Sequence, residues 1–197
     1  MRHPSQVLFA GEKPFPMMPA VDHYAGSEKL ISKALQLQAE LGPIFDITCD
    51  CEDGAPAGAD RQHAEMVADF VMSDANRHGR VGARIHDIAH PAWQQDIEII
   101  VGRAGQRLAF VTLPKVSGSD DVRVQLRELR RASVAAGLTR SIPVHVLIET
   151  HGALRAVWEI AAMPEVESLD FGLMDFVSGH HGAIPGSAMQ SPGQFEH

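Results

Sequence analysis

Residues 142–150 (IPVHVLIET) and residues 168–176 (SLDFGLMDF) each read as a buried strand with an acidic residue beyond its end. Glu149 follows the first apolar run directly, and Asp175 lies shortly after the second. The carboxyl ends of parallel strands meet at one shared rim, so carboxylates after neighbouring strands converge there. Ligation by oxygen alone favours magnesium or manganese over zinc. The two segments therefore predict a hard-metal site at the rim of a parallel α/β sheet.

Short apolar runs alternate with helical patterns along the rest of the chain. A proline cluster in residues 14–19 leaves the interpretation of everything before Asp22 open. Strands are predicted at residues 7–10, 44–49, 81–85, 108–113, 142–148 and 168–172. Helices are predicted at residues 27–41, 61–78, around 93–101, 121–136 and 152–162. Strands that alternate with helices in this way indicate a parallel sheet joined by right-handed crossovers.

Polar residues of one parity distinguish between the two folds that this alternation allows, a doubly wound sheet and a (β/α)₈ barrel. They include Asp46, Thr48, Asp50, Arg84, His86, His145 and Glu149. A sheet covered by helices on both faces needs apolar residues there, whereas a barrel lumen near its catalytic rim accommodates polar ones. We therefore expect a TIM-type (β/α)₈ barrel. Such barrels typically take about 250 residues, so residues 1–197 should form a single, incomplete barrel domain with about six of the eight βα units.

Composition favours a cytoplasmic protein that acts on small molecules. The chain has 17 basic and 25 acidic residues, a formal net charge of −8, which argues against nucleic acids and anionic membranes as partners. The sequence contains neither a signal-peptide core nor a run of about 18 apolar residues. Cys49 and Cys51, the two cysteines, lie two residues apart on one strand face, a poor geometry for a disulfide. We expect both to be reduced, in the cytoplasm.

Three groups of charged residues follow predicted strands. Asp50, Glu52 and Asp53 could hold substrate or metal-bound water at a barrel rim, or could form a solvated loop; the cluster alone favours neither. Arg84 could bind a substrate carboxylate, but, taken alone, an internal salt bridge with Asp50 or Glu52 is the better interpretation. Lys115 could form a Schiff base with a keto acid. Because the nearby acids would keep its amine protonated, ion pairing is favoured.

The histidines give weaker signals. His145 lies in mid-strand and is expected to be a hydrogen-bonded interior residue rather than a metal ligand. His180 and His181 lie in a predicted loop, where exposure to solvent is expected. None of the three has the spacing of a zinc site.

Five short motifs carry a resemblance to a known family. They are DCEDGAP, RIH, LPKV, LIETHGAL and FGLMDF, and they occur in that order over residues 44–176. The chain resembles the citrate lyase beta subunit-like branch of the HpcH/HpaI aldolase group, which are magnesium-dependent carbon–carbon lyases on a phosphoenolpyruvate-utilising type barrel. Each motif alone is weak, but five in family order at strand ends form a specific signal.

The resemblance implies roles for five residues. Glu149 and Asp175 would ligate Mg²⁺, with Mn²⁺ as the alternative, and would contact the substrate through the metal. Arg84 would hold the carboxylate of a 2-keto acid, while Glu52 and Asp53 would order the metal-bound waters and complete the catalytic set. The implied reaction is cleavage of a citryl-CoA-like or malyl-CoA-like thioester, or of a related short 2-hydroxy or 2-keto acid. A homo-oligomer, either a trimer or a hexamer, is also implied.

Departures from the family pattern leave the substrate open. The usual lysine and arginine after the acidic motif fall at Asp60 and Ala64, and the asparagine after the substrate-binding arginine is His86. We expect the last two strands and a C-terminal segment to be missing, through truncation or because a partner completes the barrel. A non-catalytic subunit that binds metal and keto acid in a larger complex is therefore the alternative. A Schiff-base aldolase that uses Lys115 is a third hypothesis.

Overall fold

The computed structural model describes residues 18–19 and 21–193, which form alternating strands and helices. The strands are β1 (Asp22–Ala25), β2 (Asp46–Asp50), β3 (Val81–Arg84), β4 (Val111–Leu113), β5 (Val144–Ile148) and β6 (Val166–Phe171). The helices are α1 (Glu28–Leu41), α2 (Asp60–Met72), α3 (Trp93–Ala104), α4 (Ser119–Ala135), α5 (His151–Arg155), α6 (Val157–Ala161) and α7 (Leu173–Ser178). A 3₁₀ turn covers Gly186–Met189.

The sheet has the strand order of a barrel. Its six strands are parallel and lie in the order β1 to β6, so each pairs with its neighbours in sequence. A doubly wound sheet would instead reverse its order at a switch point. Carboxylate oxygens of Asp22 on β1 and Asp170 on β6 lie within 4.8 Å of one another, whereas strands five places apart in a flat sheet would be about 24 Å apart. The sheet is therefore curled, and the predicted partial TIM-type barrel is confirmed.

The two faces of the curled sheet differ in chemistry. Outward residues such as Ile47, Cys49 and Val81 are fully buried under the helices. The inward face carries the predicted polar residues, and the one hydroxyl proton of Thr48 is shared between the two oxygens of Asp22, which lie 2.8 and 2.7 Å from Thr48 Oγ1. Burial raises the pKa of Asp22 to about 6. The parity of polar residues in the strands therefore marks the lumen, as predicted.

The β3–β4 seam, the pairing of Ala83 with Val111 and of Arg84 with Thr112, is the shortest strand contact among the described residues. Three backbone hydrogen bonds between the β3 segment and the β4 segment measure 2.9, 3.2 and 3.3 Å, and β4 itself has three residues. By comparison, β5 and β6 share five register pairs. The curled sheet is consequently two three-stranded halves joined by a short ladder.

Several boundaries differ from the predictions. β1 at Asp22–Ala25 was missed, and the strand predicted at residues 7–10 lies outside the described residues. The predicted helix at 61–78 ends at Met72, because the side chain of Asn76 binds the Val71 carbonyl at 2.9 Å and turns the chain towards β3. The predicted helix at 152–162 is divided at Ala156 into α5 and α6. No helix in the described part of the chain is long and apolar enough to cross a bilayer.

Candidate active site

The loop after β2 folds around Asp50, which is buried at the carboxyl end of that strand. Its carboxylate accepts hydrogen bonds from the backbone amides of Glu52 at 3.0 Å and Gly54 at 2.8 Å. A Cβ at position 54 would lie 2.4 Å from Asp50 Oδ2, so only glycine allows this approach. Burial alone would raise the pKa of Asp50, but the adjacent Arg84 and these amides outweigh it and lower that pKa. Asp50 therefore stays ionised and anchors the acidic loop.

Arg84, the last residue of β3, is held in place by Asp50 and Glu52. Its Nε and Nη2 atoms donate to the two oxygens of Asp50 at 2.7 and 2.6 Å. The remaining Nη1 lies 2.9 Å from Glu52 Oε2, and the guanidinium carbon lies 5.1 Å from the centre of the Tyr24 ring. The internal salt bridge that the sequence favoured is confirmed for both Asp50 and Glu52. The lumen thus presents a fixed, nearly buried cation.

Lys115 connects the two sides of the rim. Its Nζ contacts Glu52, lies 3.0 Å from both oxygens of Asp53 and lies 3.9 Å from Asp175. Partial burial would lower the pKa of this amine, but the hydrogen bonds to Glu52 and Asp53 outweigh burial and raise that pKa. The predicted ion pairing is confirmed. A protonated amine is not a nucleophile, so the geometry counts against the Schiff-base hypothesis.

Glu149 is buried directly after β5 and is held by backbone on two sides. Its Oε1 accepts a hydrogen bond from the Lys115 amide at 2.6 Å, and that amide belongs to a residue with φ of +49°. A Cβ at Gly172 would lie 2.3 Å from Glu149 Oε2. Burial raises the pKa of Glu149 to about 7, and the charge of Asp175 adds to the increase. Asp175 itself is on α7, where a loop was expected, and is partly exposed.

The charges at this rim fit a hard divalent cation. Five carboxylates, those of Asp50, Glu52, Asp53, Glu149 and Asp175, share only two cations here, Arg84 and Lys115. Glu149 and Asp175 belong to no group of three close ligand atoms in the described part of the chain. Two carboxylates with the remaining positions left to water is a common arrangement for Mg²⁺. The residues present therefore fit that ion.

The structure gives the three histidines singled out in the sequence different surroundings. His145 is buried, with its ring stacked on Phe110 and its Nε2 3.3 Å from Glu167, in agreement with the interior role expected. His180 is only half exposed and packs against the rings of Phe176 and His151, with the His151 ring centre 3.9 Å away. The expectation of a solvent-exposed side chain is thus correct for His181 and only partly so for His180.

Sequence reasoning missed a second polar cluster beside the rim. A cavity of about 570 Å³ is bordered by Lys115 and the acidic loop on one side and by Asp60, His86 and His90 on the other. His86 Nδ1 lies 2.7 Å from Asp96 Oδ2, which also accepts a bond from the His86 amide at 2.9 Å. Asp96 is fully buried on α3. One sequence signal could have revealed this cluster. Asp96 lies on the apolar stripe of a predicted helix, and a buried acid requires a hydrogen-bond partner.

Comparison with known proteins agrees with this geometry. Residues 44–183 match the sequence model of the HpcH/HpaI aldolase/citrate lyase family. The chain is 28% identical over 134 residues to L-malyl-CoA/beta-methylmalyl-CoA lyase of Cereibacter sphaeroides, covering 67% of this chain and 42% of that protein. A citrate lyase crystal structure from Burkholderia xenovorans superposes with a TM-score of 0.89 at 51% identity, covering 94% of this chain and 58% of that one.

A more distant structure shares the fold. The malate synthase of Haloferax volcanii, solved with magnesium and glyoxylate, gives a TM-score of 0.69 at 18% identity, over 85% of this chain and 55% of that one. The present chain therefore spans roughly half the length of the proteins it resembles.

Proposed function

Because the chain belongs to the HpcH/HpaI aldolase/citrate lyase family, we propose that it acts as a magnesium-dependent carbon–carbon lyase. The proposed substrate is a citryl-CoA-like or malyl-CoA-like thioester, or a short 2-hydroxy or 2-keto acid related to them. The observation that carries the proposal is the convergence of acids from β2, β5 and α7 on Lys115 at one rim. The similarity to a malyl-CoA lyase supports the substrate class.

Glu149 and Asp175 are proposed to hold the cation. Glu149 is positioned for this role by the Lys115 amide and by the backbone of Gly172. Bound there, Mg²⁺ would stabilise the negative charge that develops on a substrate oxygen as the carbon–carbon bond breaks. The raised pKa of Glu149 has the physical cause expected of such a site, since a buried acid beside further acids lacks a neutralising charge.

Arg84 is proposed to bind the substrate carboxylate. Asp50 occupies Nε and Nη2 through two short bonds, so the guanidinium keeps its orientation whether or not substrate is present. Nη1 contacts Glu52, which is itself one of the rim acids. A carboxylate that replaced Glu52 at Nη1 would keep the positive charge paired and would release Glu52. Glu52 and Asp53, both held by Lys115, are then the proposed groups that accept and return a proton.

Location and assembly complete the proposal. We propose a cytoplasmic location, supported by the two buried and unpaired cysteines, Cys49 and Cys51. Assembly into a homotrimer or homohexamer is proposed from the family resemblance.

Calorimetry tests the proposal directly. Mg²⁺ and oxaloacetate are titrated together into the parent, into Glu149→Ala and into Glu40→Ala, a control that removes an exposed acid from α1. Mutually dependent binding that is lost only in Glu149→Ala is expected. Product release from a panel of CoA thioesters and free 2-hydroxy acids, abolished by a chelator, should accompany it. Cleavage of none of them by protein that binds Mg²⁺ would contradict the lyase and favour a non-catalytic binding subunit.

A further inference from the structure

We propose a second metal site, formed by Asp60, His86 and His90, that takes a transition-metal dication of the zinc type. One ligand atom from each of these side chains lies within 4.8 Å of the other two. Asp60 is the first residue of α2, and the histidines lie in the loop between β3 and α3, four residues apart. Two imidazoles and a carboxylate are a common donor set for zinc and for ferrous iron.

His86 is already oriented as a ligand. Its Nδ1 is 2.7 Å from Oδ2 of the fully buried Asp96. We assign the proton to Nδ1, because Asp96 Oδ2 already accepts a hydrogen bond from the His86 amide and acts here as an acceptor. Nε2 is left with its lone pair. Metal-binding histidines typically donate their second nitrogen to a carboxylate in this way, which fixes the tautomer and makes the ring a better donor. The carboxylate is itself held by the His86 amide at 2.9 Å, which makes the orientation rigid.

Asp60 and His90 would make the adjustment that binding requires. Tetrahedral bonds of about 2.0–2.1 Å place ligand atoms about 3.4 Å apart, so atoms up to 4.8 Å apart must move inward by about an ångström. Both side chains are only partly buried and have room to do so. The His90 ring is stacked on His86 with centres 4.0 Å apart. Its Nδ1 accepts a bond from the Ala92 amide at 3.2 Å, and ligation through Nδ1 exchanges this long bond for the metal.

The cavity beside the cluster favours a cation. Glu52, Asp53, Asp60 and Asp87 line it, and Lys115 is the only lysine or arginine among its lining residues. This excess of negative charge attracts a dication, and the imidazole nitrogens then discriminate between ions, since they favour zinc-like metals over Mg²⁺. The site therefore differs in selectivity from the oxygen-only pair, Glu149 and Asp175. An occupied site would form one wall of this cavity, with Lys115 among the residues of the other walls.

Cobalt is the probe for this site, because Co²⁺ replaces zinc and its visible absorption reports nitrogen ligation. Co²⁺ is titrated into the full chain with Mg²⁺ in excess, and Zn²⁺ is then added in competition. We expect one equivalent to bind and to be displaced by Zn²⁺. Binding should weaken at least tenfold in His90→Ala and in Asp60→Asn, whose side chains are partly exposed. It should be unchanged in Glu149→Ala and in His78→Ala, a control that removes an exposed histidine.

The variants separate this site from the proposed lyase site. Co²⁺ affinity that is equal in the parent, His90→Ala and Asp60→Asn would overturn the assignment. So would loss of the Co²⁺ spectrum in Glu149→Ala, because the ion would then occupy the carboxylate pair. A parent that is folded by circular dichroism but takes up no Co²⁺ also overturns it. Since Glu149→Ala removes only the Mg²⁺ response, failure of one site leaves the other testable.

Discussion

Replacing Gly172 by alanine should disrupt the proposed Mg²⁺ site while leaving every ligand in the chain. The added Cβ would lie 2.3 Å from Glu149 Oε2 and 2.6 Å from Glu149 Cβ, whereas ordinary contact begins at 3.4 Å. Glu149 has little freedom to swing away, because its Oε1 is bound to the Lys115 amide at 2.6 Å. Relief of the overlap therefore needs the carboxylate to move by about 1 Å, or the ends of β5 and β6 to separate.

Both consequences are measurable. Overpacking of this kind typically lowers the free energy of unfolding by about 1–3 kcal/mol, and a displacement of about 1 Å in a reacting group reduces turnover on the order of 100-fold. Urea unfolding without divalent cations measures the first effect, and calorimetry with Mg²⁺ and oxaloacetate measures the accompanying loss of affinity. Gly102→Ala is the matched control, since nothing lies within 4 Å of its added Cβ. On an exposed helix face it should stabilise the protein by about 0.5–1 kcal/mol.

Gly172→Ala would contradict this prediction if it unfolded at the parental urea concentration and kept the parental Mg²⁺ affinity. That result would mean that close packing at Gly172 does not position Glu149. Loss of Mg²⁺ binding with unchanged stability would show instead that the carboxylate alone moves.

Three further predictions concern charged groups. The pKa of Glu149 in the folded state, about 7, exceeds its ordinary value of 4.5. Between these two pH values the folded state retains a proton that the unfolded state has lost. The free energy of unfolding of the metal-free protein should therefore fall by roughly 3 kcal/mol as the pH rises from 4.5 to about 7. Urea unfolding against pH checks this, and an identical profile for Glu149→Gln would disprove it. Arg84→Ala should lower the unfolding free energy by roughly 3–5 kcal/mol, because Asp50 and Glu52 lose their buried cation. Arg84→Lys keeps the charge and should lower the unfolding free energy by less. Equal losses in the two variants would show that charge pairing is not the cause. Borohydride with oxaloacetate should leave Lys115 unmodified because its amine stays protonated, and a mass increase on the peptide that carries it would refute this.

The barrel was predictable because its decisive signals are local. Strand periodicity placed Thr48 and Arg84 on the lumen side, and both are buried there. Asp50 and Glu149 share this parity and stand where the apolar runs end, so their place at the lumen rim was predictable as well. The ion pairs of Arg84 and Lys115 followed from charge balance, because buried or crowded acids require cations nearby.

Other features depend on contacts that no short window contains. β1 has only four residues, DHYA, and is a strand because it pairs with β2. The tight contact between Gly172 and Glu149 depends on the register between β5 and β6. The cluster of Asp60, His86 and His90 combines a helix start with a loop 26 residues later, so spacing along the chain gives no metal motif.

The β3–β4 seam has a consequence for dividing the protein into two pieces. A cut in the connection between α3 and β4 would separate Arg84 and Glu52 on one fragment from Lys115 and Glu149 on the other. Because the seam supplies only two register pairs, recombination of the fragments would depend on helix packing and on the charge pair between Lys115 and Glu52. Complementation should therefore weaken as salt concentration increases, and the yield of reassembled protein would report how strongly the site itself holds the two halves together.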